Sequence, residues 1–201
     1  MLQVWELCRS DGNQRWFYPW LEAEQQALTL RAWQPTLVLG LLQTADYARA
    51  VFRGEPGIRS DKIDKGVEAR LERQTLFDRK DPPMLWAVLD EGVLQRPIGG
   101  SAVMKGQLNH LLTMAEHPCI TIQIVPVMAG CTAGLLGGFF LAQLRDGREV
   151  VYLESAGKGH VTAQTKEVRD IQVRYEAVRA SALPHDGSLN RIKEWVEKWT
   201  T

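Results

Sequence analysis

The sequence predicts an α+β fold: one domain, mainly helical, with a small mixed or antiparallel sheet of about four strands. Three observations lead there. The 201 residues are 45% apolar and include seven tryptophans, enough to bury a substantial core and a better fit to one domain than to two. Apolar residues recur at helical spacing through most of the chain, in segments closed by Pro and Gly. Between them stand short apolar or β-branched runs, such as Met84–Leu89 and Cys119–Val127, of strand length.

In order, Leu2, Trp5 and Cys8 are three apart and predict a short lead-in helix ended by Ser10-Asp11-Gly12. Pro19 suits a helix's first turn, where a missing N–H costs nothing. Leu21, Ala23, Ala27, Leu28, Leu30 and Ala32 then predict a helix running to Trp33, stopped by Pro35, with Glu22 near its start as a capping or solvated acid. Leu37–Leu42 is a compact apolar run, and Thr44 can cap a helix in which Ala45, Ala48, Val51 and Phe52 share a face with Tyr47. After the Gly54–Gly57 loop, Ser60 or Asp61 opens a charged helix to Asp78 with an inward stripe of Ile63, Val67, Leu71 and either Gln74 or Thr75, flanked by Arg70 and Arg73.

Pro82-Pro83 precedes Met84–Leu89, a strand apolar enough to be central, with Asp90 and Glu91 at its end. Ser101 can cap a helix reaching His117-Pro118. Cys119–Val127 alternates as a strand ending near Pro126. The Gly130–Gly138 stretch is a loop. Asp146-Gly147 is a hairpin signal that pairs Phe139–Leu144 with Glu149–Glu154. A polar loop runs through His160, then Val168, Ile171, Tyr175, Val178 and Ala182 draw a helical stripe, and a last helix starts from Ser188.

Composition narrows the function. Twenty-four Lys and Arg offset twenty-four Asp and Glu, so no global positive field draws the chain to a phosphate backbone, and nucleic-acid binding by this chain alone is disfavoured. Cys8, Cys119 and Cys131 are odd in number and widely spaced, which suits a reducing cytoplasm. No window approaches the roughly 20 apolar residues that span a bilayer, and no membrane partner is expected.

Several short blocks in fixed order carry a resemblance: Trp20-Leu21-Glu22-x-Glu24, Gly40-Leu41-Leu42-Gln43-Thr44-x-x-Tyr47-Ala48-Arg49, Arg70-x-x-Arg73-Gln74, Leu89-Asp90-Glu91-x-x-Leu94, Gln123-x-Val125-Pro126, Gly138-Phe139 and Val151-Tyr152-x-Glu154. From Trp16 onward the chain resembles the C-terminal domain that follows an Xre-type helix-turn-helix in actinobacterial, antitoxin-like transcriptional regulators, a domain long catalogued as being of unknown function. Leu39 stands where that family's turn usually has proline, and Pro97 where an apolar residue is common. The helix-turn-helix itself is expected before Met1, and residues 1–15, a connector helix ahead of a 16–201 regulatory domain, are too few to hold one. Either engineering removed the DNA reader or this is a stand-alone paralogue. The resemblance implies a small cognate partner protein, encoded nearby, or a small-molecule ligand; a homodimer stays open.

Catalytic signatures are scarce. His110, His117, His160 and His185 lie in separate segments without ligand spacing, so no metal is expected, and no cofactor. The Gly130–Gly138 loop lacks both the Lys-Ser/Thr ending and the following helix of a phosphate cradle. Cys131 with His160 as base has no linear signature. Polar residues set in apolar blocks are more informative: Gln43, Tyr47, Arg73, Gln74, Asp90, Glu91 and Gln107, with Trp86 beside them in the aromatic set. They either tie helices to the sheet or line a cavity for a polar ligand. The expectation is a non-catalytic cytoplasmic regulatory domain. The alternative is a biosynthetic enzyme, its gene among those of its pathway, that reuses the cavity for acid–base or cyclisation chemistry through Asp90, Glu91 and Tyr47.

Overall fold

The computed structural model describes residues 17–156 and 158–200. The lead-in helix, with Trp5, Cys8 and Trp16, lies outside them. The described elements are α1 (Tyr18–Gln26), β1 (Ala27–Gln34), α2 (Ala45–Arg53), α3 (Ser60–Gln74), β2 (Met84–Asp90), α4 (Gly92–Gln95), α5 (Ser101–Met114), β3 (Ile120–Val125), β4 (Phe139–Leu144), β5 (Glu149–Leu153), β6 (His160–Thr162), α6 (Thr165–Ala180) and α7 (His185–Lys198). A 3₁₀ turn at Gly40–Leu42 precedes α2, and another at Thr75–Asp78 follows α3.

The sheet is mixed and has six strands, in the order β3-β2-β1-β4-β5-β6. β1, β2 and β3 run parallel, so each crossover needs helical segments, which α2–α3 and α4–α5 supply. β4 is antiparallel to β1, and the Asp146-Gly147 turn joins it to β5 as the sequence predicts.

Two strands correct the sequence reading. The helix expected to reach Trp33 ends at Gln26, and Ala27–Gln34 is the central strand. Ala, Leu, Arg and Gln are good helix formers, but β1 is hydrogen-bonded along both sides, by β2 and β4, and that ladder overrides local propensity. Its alternation is visible afterwards: Leu30, Ala32 and Gln34 face one side, Thr29, Arg31 and Trp33 the other. β6 lies within the expected polar loop and pairs with the end of β5. Smaller corrections follow. Ser101 is the first residue of α5, and Gly100, with φ 88°, precedes it without a side-chain cap. Leu71 points outward from α3, whereas Thr44 does cap α2, accepting from the Tyr47 N–H at 3.3 Å.

Helices cover both faces of the sheet. On one, Leu30, Leu85, Leu89, Ile122 and Phe140 pack with Trp20, Leu42, Met104, Leu108 and Ile192. On the other, Trp33, Val88, Phe139 and Val151 meet Val168, Tyr175 and Val178 of α6. No helix among the described residues is long and apolar enough to cross a membrane.

Candidate functional site

Four of the polar residues singled out in the sequence converge on the turn between β1 and α2. Gln43 Nε2 donates to Val38 O at 2.5 Å, and Gln43 Oε1 accepts from Arg70 at 2.6 Å. Gln74 Nε2 donates to Gln43 O at 2.7 Å and to Gly40 O at 3.1 Å. Gln107 Nε2 donates to Leu42 O at 2.7 Å while its Oε1 accepts from the Thr44 N–H at 2.8 Å. The Tyr47 hydroxyl accepts from the Val38 N–H at 3.3 Å, and burial raises its pKa. A non-repetitive apolar turn buried between helices has backbone groups that no ladder satisfies, and these side chains supply the partners.

Arg73 grips Glu24, which is 0% exposed, through two bonds of 2.9 and 2.7 Å and lies over Phe17. Asp90 accepts from the Gly92 N–H at 2.7 Å, closing its own turn. Glu91 accepts from Arg191 at 2.7 Å, Trp195 Nε1 at 3.3 Å and the Val127 N–H at 3.1 Å, fastening α7 and the segment after β3. Burial alone would raise the Glu91 pKa, but those three donors outweigh it and hold it below the carboxylate range. Asp90, Glu91 and Tyr47 thus share no partner. Trp86 lies on the opposite face under Arg31, beside Tyr175, in a shallow cleft of about 200 Å³. Cys131 packs against the second core cluster, while His160 pairs with Glu167 at 3.4 Å. Among the described residues no group of three or more His, Cys, Asp and Glu could hold a metal.

The sequence reading missed a polar cluster at the carboxyl end of β1. In the sheet order, β1 is where the strand sequence reverses, with β2 and β3 to one side and β4 to the other. Here Gln34, Gly138 and Glu154 meet: the Glu154 N–H donates to Gly138 O at 3.0 Å, prolonging the β4–β5 ladder by one rung. A Cβ on Gly138 would collide with the Glu154 carboxylate and stand 3.1 Å from Gln34 Nε2, so only glycine lets both side chains close in. Gln34 is 2% exposed, and among the described residues its Nε2 has no hydrogen-bond partner within normal distance. Glu154 sits deep among protein atoms yet keeps an exposed surface.

Arg70 of α3, with Arg73 beside it, packs over Gly40. Burial and the neighbouring Arg73 lower the Arg70 pKa to about 10; Glu154 and Tyr47 act in the other direction. Burial raises Glu154, opposed by Gln34 and Arg70. Tyr152, next to Glu154 in sequence, is pushed up to about 12 by burial and by that carboxylate, so its hydroxyl stays protonated. Arg70-x-x-Arg73, Gly138-Phe139 and Tyr152-x-Glu154 were visible as sequence blocks. Nothing in linear order indicated that they share one edge with Gln34.

The segment from Val127 to Gly137 covers the same end of the sheet. It is pinned at Val127 by Glu91, at Ala133 O by Arg174 (2.8 Å) and at Gly134 O by Trp33 Nε1 (2.8 Å). Next to these anchors it turns apolar side chains to solvent: Met128 is 92%, Leu135 72% and Leu136 82% exposed. It leads into Gly138, which abuts Gln34 and Glu154, and its anchor, Trp33, precedes Gln34.

A comparison with curated proteins finds no match. The family model described as "Domain of unknown function (DUF5753)" matches residues 19–194, which spans every described element through most of α7. The chain therefore belongs to the DUF5753 family of domains of unknown function.

Proposed function

We propose that this chain is a non-catalytic regulatory domain that binds a partner protein and, in relatives, reports to an attached DNA reader, as the resemblance to actinobacterial Xre-type, antitoxin-like regulators implies. The supporting observation is the Val127–Leu136 segment, which exposes Met128, Leu135 and Leu136 although it is anchored to the core at several points. Large apolar side chains grouped on a held surface mark a site of association. The partner would be a small protein encoded nearby, docking its own apolar face there.

The mechanism is population shift. Whatever alters the packing of Gln34, Gly138 and Glu154 acts on the neighbours of Trp33 and of the segment's end, and so favours one arrangement of the apolar segment.

The test is capture of the product of the adjacent small gene by the purified 201-residue protein, with and without the paired substitutions Leu135→Ser and Leu136→Ser. Both sites are solvent-facing, so melting should stay within about 0.5 kcal/mol of the parent while affinity falls at least tenfold. Undiminished capture by the folded double variant overturns the assignment of that surface.

A further inference from the structure

A cation stands at the middle of the sheet. Arg31 of β1 is flanked in register by Trp86 of β2 and Leu141 of β4, and its side chain leaves the sheet on the face that α6 covers. Its guanidinium lies over the Trp86 ring, 5.6 Å from the ring centre, and among the described residues no carboxylate or hydrogen-bond acceptor pairs with it. α6 crosses above through Tyr175, whose hydroxyl donates to Trp86 O at 3.3 Å. Arg31, Trp86, Tyr175, Glu176 and Arg179 line the cleft of about 200 Å³ there. Glu176 pairs with Arg179 at 3.1 Å, and both are exposed. Burial raises the Tyr175 pKa, so its phenol adds no negative charge. The cleft is therefore left with one positive charge in excess, on the half-buried Arg31. Contact with an indole face holds a guanidinium in place without neutralising it, and a cation kept partly out of water calls for an anion.

We propose that this cleft binds a small organic monocarboxylate with a flat apolar body, its carboxylate on Arg31 and its body against Trp86 and Tyr175. The planar arginine fork matches a carboxylate through two parallel bonds. Glu176 at the same cleft opposes a second negative charge, which disfavours phosphate esters and dicarboxylates. A neutral or cationic molecule leaves Arg31 uncompensated. The volume is below the roughly 300–1,000 Å³ of most ligand pockets, which limits the ligand to about the size of a single ring. Two aromatic side chains give such a ring a surface to lie on. Binding here is independent of the partner surface at Met128, Leu135 and Leu136.

The test follows the Trp86 indole N–H by ¹H–¹⁵N NMR in the 201-residue protein, its signal assigned by loss in Trp86→Phe. Benzoate is titrated against benzamide, which lacks the charge, and acetate, which lacks the ring. Benzoate should shift the signal saturably at a concentration tenfold or more below either. Arg31→Gln should weaken that response at least tenfold, and Glu176→Gln, which removes the one opposing charge, should strengthen it at least threefold. Glu176 is exposed, so its variant carries the test if Arg31→Gln fails to fold. No saturable benzoate response, a response equalled by benzamide or acetate, one that survives in folded Arg31→Gln, or one no stronger in Glu176→Gln overturns the proposal. Failed partner capture beside an intact benzoate response refutes the partner reading alone.

Discussion

Replacing Gln107 by leucine separates the two roles a buried amide could have here. The side chain is fully buried and satisfies two backbone groups of the turn, Leu42 C=O at 2.7 Å and Thr44 N–H at 2.8 Å. Leucine fills similar space but strands both groups, at roughly 1–3 kcal/mol each. The apolar side chain returns about 1.5–3 kcal/mol through burial. The net loss is about 2 kcal/mol, or roughly 4–8 °C of melting temperature for a chain of this size. Urea titration followed by tryptophan fluorescence, with calorimetry alongside, reads it directly. Glutamate at the same position sharpens the result. It keeps the acceptor for Thr44 but turns a second acceptor toward Leu42 C=O, so its folded-state pKa rises. Stability of Q107E is therefore retained below the ordinary carboxylate pKa and lost as pH rises through the higher folded value. If Q107L lies within 0.5 kcal/mol of the parent at pH 7, or Q107E melts identically at pH 4 and 7, Gln107 does not hold the turn and the structural account of its burial is wrong.

Two further outcomes test the polar framework. Arg73→Met should cost about 3–5 kcal/mol, because it leaves the fully buried Glu24 carboxylate without its cation, and chemical denaturation measures it. Glu91→Gln should cost stability at neutral pH but not in acid: the folded pKa of Glu91 is depressed, so its contribution is present above the unfolded carboxylate pKa and fades as pH falls through the folded value. Paired melts of parent and variant from pH 7 to pH 3 should converge at the acid end.

Local pattern alone determined much of this protein. The cap at Thr44, the charged helix beginning at Ser60, the apolar strand from Met84, the alternation of Ile120–Val125 and the Asp146-Gly147 hairpin all depend on near neighbours, and periodicity and turn chemistry report near neighbours faithfully. The same reasoning marked Gln43, Gln74 and Gln107 as polar residues needing partners, without indicating that all three serve one turn.

Tertiary pairing decided what lies between distant segments. Ala27–Gln34 has helix-forming residues and became the central strand because β2 and β4 offered hydrogen bonds on both sides, which no window of its own sequence contains. That one change places β1 where the strand order reverses and brings Gln34 against Glu154 and Gly138. Sequence fixes which side chains carry charge and which faces are apolar; strand order, a property of the whole chain, determines which charges meet.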